Sequence, residues 1–220
     1  MQGFDPDFRP LRETGTGVDH AIMEEPPMDR ARGQAVASGL SKLTYDDFVL
    51  FPDDGKRHEL IDGEHYVTPA PNLRHQRVLQ NLNRLLDRWV EDRHLGRVFF
   101  APLDVVFTFH DVVEPDLIYV SHERDSILTA ANLQGAPDLV VEVLSPSTRR
   151  RDELLKRGLY GRAGVAEYWV VDPVAETVKV YRRAGDDFAR VELLSASDDD
   201  RLTSPLLPGL EIPLAVVFAD

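Results

Sequence analysis

Seven residues, Asp138-Leu-Val-Val-Glu-Val-Leu144, constrain this chain more than any other stretch. The run is apolar on both faces, the pattern of a strand with a packed layer above and below it. Glu142 sits inside it. A carboxylate in that position is costly unless a cation, a proton or a full set of donors neutralises it. A second run, Glu114-Pro-Asp-Leu-Ile-Tyr-Val120, has the same two-sided apolar character and is opened by Asp116. A divalent metal shared by Asp116 and Glu142 would meet the need, and a buried ion pair with an arginine would meet it too. Taken alone, Asp116 after Pro115 also suits an Asx-type turn at a strand start.

Around these runs the pattern is that of a mixed sheet flanked by helices, an α/β or α+β domain. Thr44-Tyr-Asp-Asp-Phe48 reads as a helix N-cap with a short helix. His58-Glu-Leu-Ile-Asp-Gly-Glu-His-Tyr-Val67 reads as a hairpin about Asp62-Gly63, setting Ile61 opposite Glu64 and Glu59 opposite Tyr66. From Leu73 to Leu95, Val78, Leu82, Leu85 and Trp89 recur at helical spacing, with Gly96 as the stop and His75 on the inner face. Arg77, Arg84 and Arg88 share an outward stripe. Val98 to Phe109 is β-prone with a bulge or edge at Pro102, and His110-Asp111 makes the next turn. Ser145-Pro-Ser-Thr148 ends the Glu142 strand and starts a helix carrying Lys156 and Tyr160, which stops at Gly161 and Gly164. Tyr168 to Asp172 resumes the sheet, a hairpin turns at Gly185-Asp-Asp187, and Leu206 to Phe218 closes the core.

At 220 residues, 43% hydrophobic and 29% charged, the chain is long enough for one well-buried domain. Residues 1–40 are rich in Pro, Gly and charge and show no periodicity, so they read as a disordered tail before a domain over 41–220. With no cysteine, disulfides and thiolate metal sites are excluded, which fits a reducing cytoplasm. No run reads as a membrane span and the N-terminus lacks a signal-peptide layout, so a cytoplasmic protein is expected. The net charge is -13, of which the tail carries -3, seven Asp/Glu against four Arg, leaving -10 on the remainder. Such a field opposes non-specific coating of nucleic acid. Any nucleic-acid contact must come from a local strip such as Arg149, Arg150, Arg151, Arg157 and Arg162. A solvated helix face with i,i+4 pairs is the alternative account of those arginines.

Read in order, Arg57-His-Glu-Leu-Ile-Asp-Gly-Glu64, His75, Val113-Glu-Pro-Asp-Leu117, Pro137 to Thr148, Lys156 with Tyr160, and Gly164 to Pro173 form a recognisable series. The chain resembles the bacterial Uma-two family of endonucleases, a branch of the restriction-endonuclease-like PD-(D/E)XK superfamily, over Leu43 to Phe218. The resemblance implies that Asp116 and Glu142, with the backbone carbonyl of Val143, hold a divalent metal, Mg2+ or Mn2+. It adds Glu59 as a further carboxylate and His75 as a hydrogen-bonding or acid-base group. DNA is the implied partner, phosphodiester hydrolysis the implied reaction, and a homodimer an expected form.

One departure stands out. The superfamily's lysine two residues after the glutamate would fall at position 144, which is Leu144. Lys156 is then the candidate for that cation, supplied from the following helix. Its plain alternative is a surface pair with Asp152. Likewise His75 could be a satisfied core histidine, Glu59 a cross-strand decoration of the hairpin, and Tyr160 core packing with a hydroxyl seeking a partner. The competing readings of the whole are a non-catalytic nucleic-acid-binding or assembly module on the same fold, and a carboxylate-centred enzyme acting on another substrate.

Overall fold

The computed structural model describes residues 42–220, so the segment read as a tail lies outside the described residues. Helix α1 (Tyr45–Phe48) begins with a capping box, in which the Thr44 hydroxyl accepts from the Asp47 amide and the Asp47 carboxylate accepts from the Thr44 amide. Strands β1 (Arg57–Ile61) and β2 (Glu64–Thr68) pair with Ile61 opposite Glu64 and Glu59 opposite Tyr66. Asp62 and Gly63 both have positive φ, 54° and 73°, as a two-residue turn of this twist requires.

Helix α2 (Leu73–Asp92) buries Val78, Leu82, Leu86 and Val90 and leaves Arg77, Arg84 and Arg88 exposed. It ends earlier than its apolar spacing suggests. His94 turns left-handed (φ 53°), and Gly96 opens the strand β3 (Gly96–Phe100) instead of stopping the helix. Gly96 is needed there by contact: a Cβ on it would fall 2.1 Å from the Val120 carbonyl oxygen. The β-prone stretch that follows is two strands, β3 and β4 (Val105–Thr108), which belong to different sheets and are separated at Pro102. Asp111 is already part of β5 (Asp111–Val113) and not of the turn before it.

Next come β6 (Leu117–Ser121), a short 3-10 helix, β7 (Leu133–Gln134) and β8 (Leu139–Val143). A π-helical turn, Arg151–Lys156, runs into α3 (Arg157–Ala163), which ends at Gly164 in the left-handed conformation, while Gly161 lies within the helix. Strand β9 (Glu167–Asp172), the hairpin β10 (Thr177–Ala184) and β11 (Asp187–Ser195), the short pair β12 (Arg201–Leu202) and β13 (Ile212–Pro213), and α4 (Leu214–Val217) complete the domain.

The main sheet has six strands in the order β11-β10-β9-β8-β6-β3, with β8 parallel to β9 and antiparallel to β6. One face packs on α2 and the closing segment: Leu139, Val141 and Val143 join Leu82, Leu86, Leu207 and Leu214. The other face packs on α3 and on a second sheet of five strands, β2-β1-β5-β4-β7. There Val140, Leu144 and Ile118 meet Ile61, Val105, Phe107 and Tyr160. This second sheet is the difference from a sheet flanked by helices alone, because a seven-residue helix is too short to cover that face.

Period-two alternation now places the acids. In β8, Val140 and Leu144 face the second layer, so Glu142 does too. In β6 the same holds for Ile118 and Val120, and hence for Asp116 just before the strand. Glu59 shares the inward face of Ile61. Three carboxylates from three strands are thereby driven toward one end of the inter-sheet layer.

Candidate active site

Antiparallel pairing of Leu117 with Val141 brings Asp116 beside the C-terminal end of β8. Its Oδ2 accepts from the Val143 amide at 2.8 Å and meets His75 Nε2 at 3.1 Å. Its Oδ1 accepts from Arg57 Nη1 at 2.7 Å. Asn72 caps α2 by accepting from the His75 amide at 2.9 Å, which fixes the histidine in the first turn, facing the carboxylate. Burial by itself would raise the Asp116 carboxyl, but the His75 hydrogen bond and the Arg57 charge outweigh it and hold the group below the usual carboxylate range.

Glu142 is held from the other side. Its Oε1 accepts from Lys156 Nζ at 2.8 Å and from the Tyr160 hydroxyl at 2.7 Å. Lys156 Nζ also lies 2.7 Å from Glu59 Oε1 and 3.9 Å from Asp152 Oδ1. The lysine is 2% exposed, far from the surface pair that its spacing from Asp152 also allowed. Glu59 Oε1 accepts in addition from the Glu114 amide at 3.1 Å, and its Oε2 lies 3.5 Å from Arg151 Nη2. Burial works against the lysine's charge, yet Glu142, Glu59 and Asp152 together raise its pKa and keep it an ammonium. For Glu142, burial pushes the pKa up, Lys156 pulls it down, and the neighbouring acids add to the rise. The net direction is upward, because burial outweighs the pull of the ammonium and the acids around it add to the rise.

These groups frame a cavity of about 150 Å3, with Arg57, His75, Asp116, Glu142, Arg151 and Lys156 in its wall. Glu59 stands behind Lys156 and reaches the cavity through it. Three buried polar atoms beside the cavity, Glu59 Oε2, His75 Nδ1 and Asp152 Oδ1, have no hydrogen-bond partner among the described residues. Among the described residues no three His, Cys, Asp or Glu side chains converge as a ready metal-ligand set. What converges is a pair of acids, each already engaged by cationic or neutral donors of the chain.

A family model described as "Uma2: Putative restriction endonuclease" matches residues 45–216. The chain belongs to this family. A Synechocystis protein of unassigned role, "Uncharacterized protein sll1609", is 26% identical to this Uma2 chain over 133 residues, 60% of this chain and 75% of the relative. A crystal structure from Anabaena variabilis, described as "a putative nuclease belonging to DUF820", shares the fold with a TM-score of 0.69 at 22% identity. The match covers 80% of this chain and 98% of that one. Among the described residues of this Uma2 member, no helix is long and apolar enough to cross a membrane.

The structure brings together all five side chains picked out from the sequence: Asp116, Glu142, Lys156, Glu59 and His75. It adds two that the sequence does not assign to the site, Arg57 and Asp152. Arg57 stands two residues before Glu59, on the same inward face of β1 by alternation, and this spacing was its only signal. Asp152 stands four before Lys156, which points equally to a surface pair. The arginine strip divides. Arg149 pairs with Asp172 at 2.7 Å, Arg151 turns toward Glu59, and Arg157 lies over the Tyr181 ring at 5.6 Å. Arg150 and Arg162 are exposed.

Proposed function

We propose that this Uma2 protein is a metal-dependent phosphodiester hydrolase that cuts DNA, with Asp116, Glu142, Lys156, Glu59 and His75 as its working residues. The observation that carries the reading is the buried Lys156 ammonium bridging Glu59 and Glu142 in the wall of the cavity that Asp116 also lines. Leu144 packs in the core and cannot supply the cation, whereas Lys156 reaches the glutamate from the next helix.

The donor chemistry suits a small hard cation. Two carboxylates offer oxygen only, and no thiolate exists in the chain. The N–H and C=O of a strand residue point to the same side, so the Val143 carbonyl shares the edge from which its amide reaches Asp116. A cavity of about 150 Å3 leaves room for several waters at roughly 30 Å3 each. Asp116, Glu142 and the Val143 carbonyl would hold Mg2+ or Mn2+, which supplies charge for the phosphate oxygens and lowers the pKa of a water.

The chain's own groups do the rest. Lys156 spends two of its three N–H donors on Glu59 and Glu142, which leaves one for a water or a phosphate oxygen in the cavity. Glu59 and Asp152 keep that ammonium charged and aimed. His75, hydrogen-bonded to Asp116 through Nε2, keeps Nδ1 free for a second partner. The test is incubation of purified protein with duplex DNA in Mg2+ or Mn2+, beside Glu142→Gln and Lys156→Met. Cutting by the wild type alone supports the reading; equal cutting by all three assigns the activity to another site or to a contaminant.

A second reading, a nucleic-acid-binding module without catalysis, is favoured by one observation: both oxygens of Asp116 are already occupied by donors of the chain. Binding of DNA without cleavage in either metal ion would select it.

A further inference from the structure

Arg57 stands where two spaces meet. It lines the small acidic cavity and also a wider groove of about 510 Å3 that runs past Lys56, Gln76, Phe100 and Glu114. On Asp116, the amide of Val143 and the ring of His75 share Oδ2, whereas Oδ1 is taken by the guanidinium alone. An arginine does not lose its charge, so it neutralises this acid permanently while it stays. Two cations cannot both sit at bonding distance on that oxygen without strong repulsion. The two partners differ in freedom: the Asp116 side chain is 3% exposed and the Arg57 side chain 20%. The arginine therefore has a way out that the carboxylate lacks. Among the described residues the other acceptor of its side chain is the Glu114 carbonyl, at a long 3.4 Å. The groove it would enter offers the exposed ring of Phe100 and the exposed amide of Gln76.

We infer that Arg57 is an exchangeable cation: it holds Asp116 in the ion-free protein and, when a divalent ion takes that oxygen, turns into the groove and pairs with a phosphate of the DNA strand. This rests on the metal-dependent reading above. A guanidinium suits the second task as well as the first, because its planar fork matches phosphate as it does carboxylate. The exchange also couples the two events, since the ion frees the group that grips the strand. Its consequence has two opposite signs. Removing the arginine's charge makes ion binding easier and DNA binding harder, whereas a residue that merely props up the fold weakens both.

The experiment is calorimetric titration of the full chain with Mn2+, with melting temperatures recorded in the same buffer, for wild type, two neutral variants (Arg57→Met and Arg57→Gln), the charge-keeping Arg57→Lys, and Asp116→Asn. Binding of a labelled DNA duplex is measured alongside with Ca2+ as the ion. The neutral variants are expected to bind Mn2+ about tenfold more tightly than wild type and DNA about tenfold more weakly, with Arg57→Lys between them and wild type. Two neutral side chains of different polarity guard against one that fails to fold. Folded neutral variants that bind Mn2+ no more tightly than wild type, or DNA equally well, overturn the exchange. A wild type that takes up no Mn2+, or an Asp116→Asn that takes up as much as wild type, overturns the metal-dependent reading itself, so the two failures are told apart.

Discussion

Removing the Lys156 ammonium should make stability depend on pH in a way that a packing defect cannot imitate. In Lys156→Met the carboxylates of Glu59, Glu142 and Asp152 lose their shared cation; among the described residues Arg151, 3.5 Å from Glu59 Oε2, is then the cation left at ion-pair distance, with Arg57 acting on Glu142 and Glu59 from farther off. Breaking a buried ion pair by deleting one partner costs about 3–5 kcal/mol. The chain can relieve this by keeping a proton on one acid. Holding a carboxyl of unfolded pKa near 4.3 protonated costs about 5 kcal/mol at pH 8 and about 1.6 kcal/mol at pH 5.5. Glu142 is already raised in the wild type, so part of that cost is present before the substitution. The expected loss is then about 3 kcal/mol at pH 8 and under about 2 kcal/mol at pH 5.5. For a domain of this size, 3 kcal/mol corresponds to a fall of roughly 6–12 °C in Tm. Urea unfolding at the two pH values, with thermal melts beside it, measures the difference. A loss that is the same at both, or none at pH 8, would refute the account of Lys156 as the counter-charge of three buried acids. Methionine fills a similar volume, so lost packing contributes little.

Two further outcomes follow from other charges. Asp104 has its carboxyl raised to about 6, first by burial and then by the nearby Glu59 charge. A raised carboxyl contributes stability that is fully present below its unfolded pKa and is lost as pH rises through the folded value. Asp104→Asn should therefore match wild type near pH 4 and be more stable at pH 8, by about 1–2 kcal/mol after discounting for partial exposure; urea midpoints that differ equally at both pH values would contradict this. Arg150 and Arg162 are the exposed members of the arginine strip without an ion pair among the described residues, so Arg150→Glu with Arg162→Glu should weaken DNA binding while leaving Tm within about 1 °C. The slope of log affinity against log salt should shrink by up to about 2, and an unchanged slope would remove the strip from the DNA path.

The sequence by itself determined where most of the strands and helices lie and that Glu142 is buried within one of them. Two-sided apolar runs in β6 and β8 can be satisfied only inside a layered sheet, and a carboxylate within such a run announces a site. The hairpin register followed from Asp62-Gly63 alone, because few residues tolerate positive φ at both turn positions. Local pattern failed where distant atoms decide. Helix α2 ends at Asp92, with the chain turning left-handed at His94 and Gly96 already paired with Ser121 of β6, and the β-prone stretch after it splits between two sheets. Nothing in residues 57 and 116 says that they touch, yet their 2.7 Å contact joins the His75 hydrogen bond in holding Asp116 below the usual carboxylate range. From sequence Lys156 is a candidate site cation with a surface pair as its alternative; only the packing of the π-helical turn Arg151–Lys156 beside β8 decides between them and carries it to Glu142 and Glu59. Burial and alternation are properties of one strand and can be read along it, whereas ion pairing inside the layer depends on which strands the topology makes neighbours.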